Sequence, residues 1–136
     1  AIQMWNPIDL KHWVIANTRE AAMKSPITTH VLDTSLGRPA TGIPVTLEKE
    51  QNGQWQSVGK GLTDSDGRVS QLLPANPPLS QGTYRISFDL MNYFANQGRT
   101  TFYPYATITF IVDNANQHYH VPLLLSGFGF STYRGS

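Results

Sequence analysis

The sequence contains no cysteine. Disulfides and thiolate metal sites are thereby excluded, and the redox state of the compartment is left open. Charge is sparse as well: 14% of residues are Asp, Glu, Lys or Arg and the formal net charge is +1. No broad electrostatic field favours nucleic acid or anionic lipid, so partners must be read from local sites. No apolar run approaches the roughly 18 residues of a membrane-spanning helix, and there is no internal repeat or low-complexity tract. What is present is 136 residues with 40% hydrophobic content, enough for one globular domain with a real core. The chain begins with Ala1, compatible with removal of an initiator Met, a signal peptide or an expression leader, and its last residues, Arg134, Gly135 and Ser136, are not a lysine-type peroxisomal signal. Cytoplasm, periplasm and peroxisome all remain open.

Residues 1–25 differ from the rest. Asn6 before Pro7, with Asp9 in the first turn and helix-forming Ala16, Ala21, Ala22, Met23 and Lys24, predicts a short helix or arm that stops before Pro26 and carries no chemistry. From residue 26 to 136 short β-prone runs are separated by turn residues. Ile43, Val45 and Leu47 alternate on one face, and the Asn52-Gly53 turn predicts a hairpin whose return strand starts at Trp55. Further strands are expected at Ile27–Leu32, Tyr84–Phe88, Ala106–Val112, His118–Leu125 and Phe130–Tyr133, a spacing that argues for an antiparallel sandwich. DLMNYFANQG, residues 89–98, has helix-compatible apolar spacing and a closing Gly98, and predicts one short surface helix. PANPPL, residues 74–79, reads as a rigid loop within the domain.

Strand alternation puts His118 and His120 on one face and Tyr119 on the other. A solvent-facing or hydrogen-bonded histidine pair is the plain alternative to a functional one. A shared metal ion is a third reading, but zinc wants three or four ligands, only His12 and His30 remain, and Asp33 faces away from His30 on a regular strand. His30 alone fits a structural strand histidine, and Arg68, after the DSDG turn, fits a solvated turn arginine. In the terminal YRGS, alternation sets Ser131 and Tyr133 on one face, Thr132 and Arg134 on the other. Taken singly, each has an ordinary explanation.

Together the motifs THVLD at 29–33, TDSDGR at 63–68, FYPY at 102–105, HYHVPLLLS at 118–126 and STYRGS at 131–136 resemble the transthyretin-related proteins, in their 5-hydroxyisourate hydrolase branch. The resemblance runs from about Ile27 to Ser136, with Gly127 and Phe130 as mild departures from the usual proline and tyrosine. It implies an all-β, transthyretin-like sandwich of two four-stranded antiparallel sheets with one short helix, assembled as a homotetramer, a dimer of dimers. The implied reaction opens a ring amide of 5-hydroxyisourate, a purine-derived small molecule of urate degradation, without cofactor or metal. Catalytic roles fall on His30, Arg68, His120 and Ser136, and substrate contacts on His30, Arg68 and Tyr133, with His118 behind them and Ser131 lining the site. Imidazole suits acid–base work near neutrality, and guanidinium suits bidentate contact with substrate oxygens. A neighbouring subunit covering the last strand would give the C-terminus fixed geometry. The rival readings are a transthyretin-type carrier of a small hydrophobe and a purely structural adhesion-like sandwich.

Overall fold

The computed structural model describes residues 25–74 and 79–135. The arm expected over 1–25 lies outside the described residues except for Ser25, as do residues 75–78 of the PANPPL loop. Ser25 is buried and tied to the domain: its hydroxyl donates to the Ile27 carbonyl at 2.6 Å and accepts the Leu73 amide at 2.9 Å.

Among the described residues nine strands form, β1 (Ile27–Asp33), β2 (Arg38–Pro39), β3 (Pro44–Gln51), β4 (Gln54–Leu62), β5 (Arg68–Val69), β6 (Gly82–Asp89), β7 (Tyr105–Val112), β8 (Tyr119–Ser126) and β9 (Gly129–Thr132), with a helix α1 (Met91–Ala95) between β6 and β7. Turn chemistry sets the hairpin between β3 and β4, where Asn52 and Gly53 both take left-handed backbone (φ 54° and 77°). The helix is shorter than the expected 89–98 span because Asp89 stays in β6, paired with Tyr105, while Gly98 closes the following turns at φ 64°.

One sheet has the order β4-β3-β6-β7 with antiparallel neighbours throughout. The other runs β2-β1-β8-β9, with β5 also paired to β1. This second sheet departs from a wholly four-stranded antiparallel design in two ways. β1 and β8 run parallel, Thr28 beside His120 and Val31 beside Leu123, and the far edge of β1 is covered piecewise by β2 and β5. Alternation dictates which face a residue takes but not the direction of its partner strand, and no hairpin links β1 to β8 to impose antiparallel pairing.

The two inner faces close one core. Ile27 and Val31 of β1 and Val121, Leu123 and Leu125 of β8 meet Val45 and Leu47 of β3 and Tyr84, Ile86 and Phe88 of β6, all at most 6% exposed. Each large side chain so buried contributes about 1.5–3 kcal/mol. Asp33, the last inward residue of β1, is completely buried and is held by Arg99 (Nη1 to Oδ2, 2.8 Å) and by the Tyr93 hydroxyl (2.6 Å). That ion pair ties the helix segment to the end of β1.

Candidate active site

The outer face of the second sheet is built by the same alternation that builds the core. On β1, Ile27, Thr29, Val31 and Asp33 turn inward, leaving Thr28 and His30 outside and half-buried. On β8, Tyr119 is the anchor. Its ring is buried, its hydroxyl donates to Asp113 Oδ1 at 2.8 Å and accepts the Asn114 amide at 3.0 Å, and its own amide donates to the Pro26 carbonyl at 2.9 Å. Fixing the residue between the two histidines drives both imidazoles to the opposite face. The ring centroids of His118 and His120 are 6.3 Å apart and nearly parallel, and His30 lies 6.5 Å from His120. Thr28 Oγ1 stands 2.8 Å from His120 Nδ1 and 2.9 Å from His118 Nε2.

Arg68 is delivered by its turn. Asp64 Oδ1 accepts the amides of Asp66 (2.8 Å) and Arg68 (3.0 Å), and Gly67 turns at φ 76°. A Cβ at Gly67 would lie 2.4 Å from the Val31 carbonyl, so only glycine fits a turn pressed this closely against β1. The result is Arg68 directly opposite His30 in the β1/β5 pairing. Among the described residues its guanidinium enters no ion pair, and it is exposed. Thr28, Arg68, Ser70, His118 and His120 line an open pocket of about 270 Å³.

Electrostatics in this pocket favour a neutral imidazole. Burial first, and then the charges of His118, His30 and Arg68, hold the His120 pKa below its ordinary value, while a hydrogen bond to the Thr28 carbonyl works the other way. Asp64 is held below the usual carboxylate range by the amide of Arg68, against a smaller opposing effect of desolvation, with the Asp66 amide and the nearby Arg68 and His30 charges helping. Among the described residues no group of three or more His, Cys, Asp or Glu is placed to hold a metal ion, and His12 lies outside them.

The structure thus brings His30, Arg68, His118 and His120 together on one sheet face. Tyr133 is elsewhere. It is 58% exposed and lines a neighbouring, more apolar recess of about 190 Å³ with Ile108, Phe110 and Arg134. His120 is the wall common to both cavities. Ser131 pairs with Leu124 in β9 and lines neither, and Ser136 lies outside the described residues. The predicted strand over Phe130–Tyr133 stops at Thr132, because its next partner on β8, Pro122, has no amide to donate. The ladder resumes where Gly135 donates to the His120 carbonyl at 2.9 Å. A Cβ on Gly135 would come within 2.6 Å of His120 Cδ2 and 3.2 Å of Pro122 Cγ. Glycine therefore lets the terminal segment lie flat against the His120 ring, with Thr28 on the other side.

Sequence reasoning passed over Thr28, Asp64 and Gly135. Thr28 was detectable in principle, since it shares a face with His30 by period-two spacing. The roles of Asp64 and Gly135 depend on contacts with the backbone and the His120 ring that no spacing displays.

A sequence model of the HIUase/Transthyretin family matches residues 27–135. A 5-hydroxyisourate hydrolase of Salmonella dublin is 41% identical over 116 residues, 85% of this chain and 85% of that protein. Among solved structures, Klebsiella pneumoniae 5-hydroxyisourate hydrolase superposes with a TM-score of 0.71 at 34% identity, covering 81% of this chain and 97% of that one. Sea bream transthyretin in complex with thyroxine superposes with a TM-score of 0.76 at 30% identity, covering 82% and 95%. The backbone matches the thyroxine-bound transthyretin and the hydrolase about equally well, so side chains must separate the two.

Proposed function

The chain belongs to the HIUase/Transthyretin family, and from that premise we propose how it acts: it is a 5-hydroxyisourate hydrolase that opens its substrate in the pocket where β1, β5 and β8 meet. The observation that carries this reading is one open cavity lined by His118, His120 and Arg68, with His30 beside His120 and opposite Arg68, and with no ion pair at Arg68 among the described residues.

Hydrolysis of the ring amide needs a base for water, a cation for the developing oxyanion and a proton donor for the departing nitrogen. His120, kept neutral by its surroundings, takes the proton from water as the oxygen attacks the carbonyl carbon. Arg68 stabilises the resulting oxyanion and holds the planar substrate through its forked donors. When the C–N bond breaks, the His120 imidazolium returns its proton to the ring nitrogen, and His30, opposite Arg68, orients the substrate. One water is consumed and the product is 2-oxo-4-hydroxy-4-carboxy-5-ureidoimidazoline. Tyr133, across His120, contributes from the adjoining recess, and Ser136, one residue beyond Gly135, orders water or Arg68.

The decay of freshly prepared 5-hydroxyisourate, followed by absorbance, tests the reading. The protein accelerates it, and Arg68→Ala removes about 100-fold or more of that acceleration, the usual cost of losing an oxyanion-stabilising group. Decay at the spontaneous rate, or an unaffected Arg68→Ala protein, would sink it.

The working assembly is a homotetramer, in line with the family. Large apolar side chains stay uncovered in the single chain, Phe102 at 70%, Tyr105 at 65%, Ile111 at 68% and Phe128 at 71% exposure, and β7 is an edge strand of its sheet. A native mass of four chains is expected in solution, and a monomeric mass at assay concentration would contradict it.

A further inference from the structure

We propose that Thr28 is a positioning residue that sets the tautomer of His120. In this arrangement its hydroxyl accepts from His120 Nδ1–H and donates to His118 Nε2, leaving the lone pair of His120 Nε2 free to take a proton from water. The inference rests on His120 being the base, as read above. Thr28 Oγ1 lies 2.8 Å from His120 Nδ1 and 2.9 Å from His118 Nε2, both at hydrogen-bond distance, and Thr28 is the cross-strand neighbour of His120 in the β1/β8 ladder.

A hydroxyl has one proton to give and two lone pairs to fill. It cannot satisfy two unprotonated imidazole nitrogens at once, so at least one of the two facing ring nitrogens carries hydrogen. The structure favours His120 as the donor. The backbone of Thr28 also favours the protonated His120 ring, as an acceptor facing a ring N–H does. With Thr28 Oγ1 2.8 Å from the part-buried Nδ1 and the Thr28 backbone acting in the same sense, the N–H belongs on the Thr28 side of the ring.

With Nδ1 protonated, the neutral ring has its basic lone pair on Nε2. That nitrogen is bonded to Cδ2, the carbon against which Gly135 packs. The ring is therefore held from both sides, by hydrogen bonds at one edge and by the glycine at the other. The bond to Thr28 survives the catalytic proton transfer, because Nδ1 keeps its hydrogen in both the imidazole and the imidazolium. Only Nε2 changes. An orienting acceptor on the second nitrogen of a general-base histidine is the same physical device that a carboxylate provides in a catalytic triad, here supplied by a neutral hydroxyl. Among the described residues the titratable and charged groups around His120 are His30 on β1, Arg68 on β5 and His118 immediately before β8, with Asp113, Tyr119, Tyr133 and Arg134 sharing the recess on its other side. Asp64, in the turn before β5, acts on Arg68 and His30. None of these selects between the two ring nitrogens as Thr28 does.

The full-length protein tests this in three measurements. Thr28→Val removes the hydroxyl at similar size and is expected to lower kcat by about 10- to 100-fold, the range for losing a group that orients a functional histidine. KM for 5-hydroxyisourate should stay within about twofold, because a positioning defect acts on the transition state rather than on binding. Thr28→Ser restores the hydroxyl and recovers most of kcat. Imidazole nitrogen-15 chemical shifts of the wild-type protein should show neutral His120 protonated at Nδ1, a readout independent of how well any variant folds. Wild-type His120 protonated at Nε2, or Thr28→Val with unchanged kcat beside an inactive His120→Gln protein, overturns the inference while leaving the hydrolase reading intact. A fully active His120→Gln protein overturns instead the reading on which the inference rests.

Discussion

Replacing His120 with glutamine is expected to reduce kcat by about 10²- to 10⁴-fold, the contribution of a positioned general base. Glutamine keeps a polar side chain facing Thr28 but has no group that titrates near neutrality. The wild-type pH profile carries the complementary prediction. Burial, reinforced by the neighbouring His118, His30 and Arg68 charges, holds the His120 pKa below the ordinary imidazole value of 6.5. The active, neutral form therefore persists at pH values where a free histidine would already be charged. The acid limb of kcat/KM, which reports the free enzyme, should fall below pH 6.5. A limb centred above that value would mean that His120 is not the titrating base.

The largest stability effect is expected away from the pocket. Arg99→Met leaves Asp33 completely buried without its counter-ion, while the Tyr93 hydroxyl and the Ser35 and Leu36 amides remain. Breaking a buried pair from one side costs about 3 kcal/mol or more, and in a domain of this size that lowers Tm by about 10 °C or more. Burial by itself pushes the Asp33 carboxyl up, but hydrogen bonds from Arg99, Tyr93 and the Leu36 amide outweigh it and leave the pKa below its ordinary 3.8. A carboxylate depressed on folding stabilises the native state above its unfolded pKa and loses that contribution as pH falls through the folded one. In Arg99→Met burial is opposed less, so the carboxyl is held higher and takes up a proton more readily. The Tm difference between wild type and variant should therefore be largest near neutrality and shrink on acidification below about pH 5. Equal Tm values at neutral pH, or a gap that widens in acid, would show that the pair does not work this way.

The structural role of Asp33 depends on a partner far along the chain. Period-two spacing correctly puts it opposite His30, yet an acidic residue on a core-facing position gives no hint of its partner. Arg99 is distant along the chain and meets it only because α1 folds back against the end of β1. The same holds for Tyr133. Its strand neighbours were legible, but Pro122 on the facing strand interrupts the ladder, so the terminal segment leaves regular alternation before it reaches the ring. Thr28 shows the opposite situation: the sequence already placed it on the right face, and its importance appears only when His120 arrives from β8 at its side.

Local chemistry was settled by the chain itself. Alternating apolar residues defined strand faces, Asn52-Gly53 and Asp66-Gly67 defined turns, and HYH necessarily exposed two imidazoles on one side of a strand, because side-chain direction repeats every second residue. Tertiary structure alone decided that β1 and β8 lie parallel, that a two-residue strand carries Arg68 to His30, and that Gly135 leans on His120. Pairing between distant segments is chosen by how whole faces pack and by which backbone groups find partners, and neither quantity belongs to any short stretch of residues.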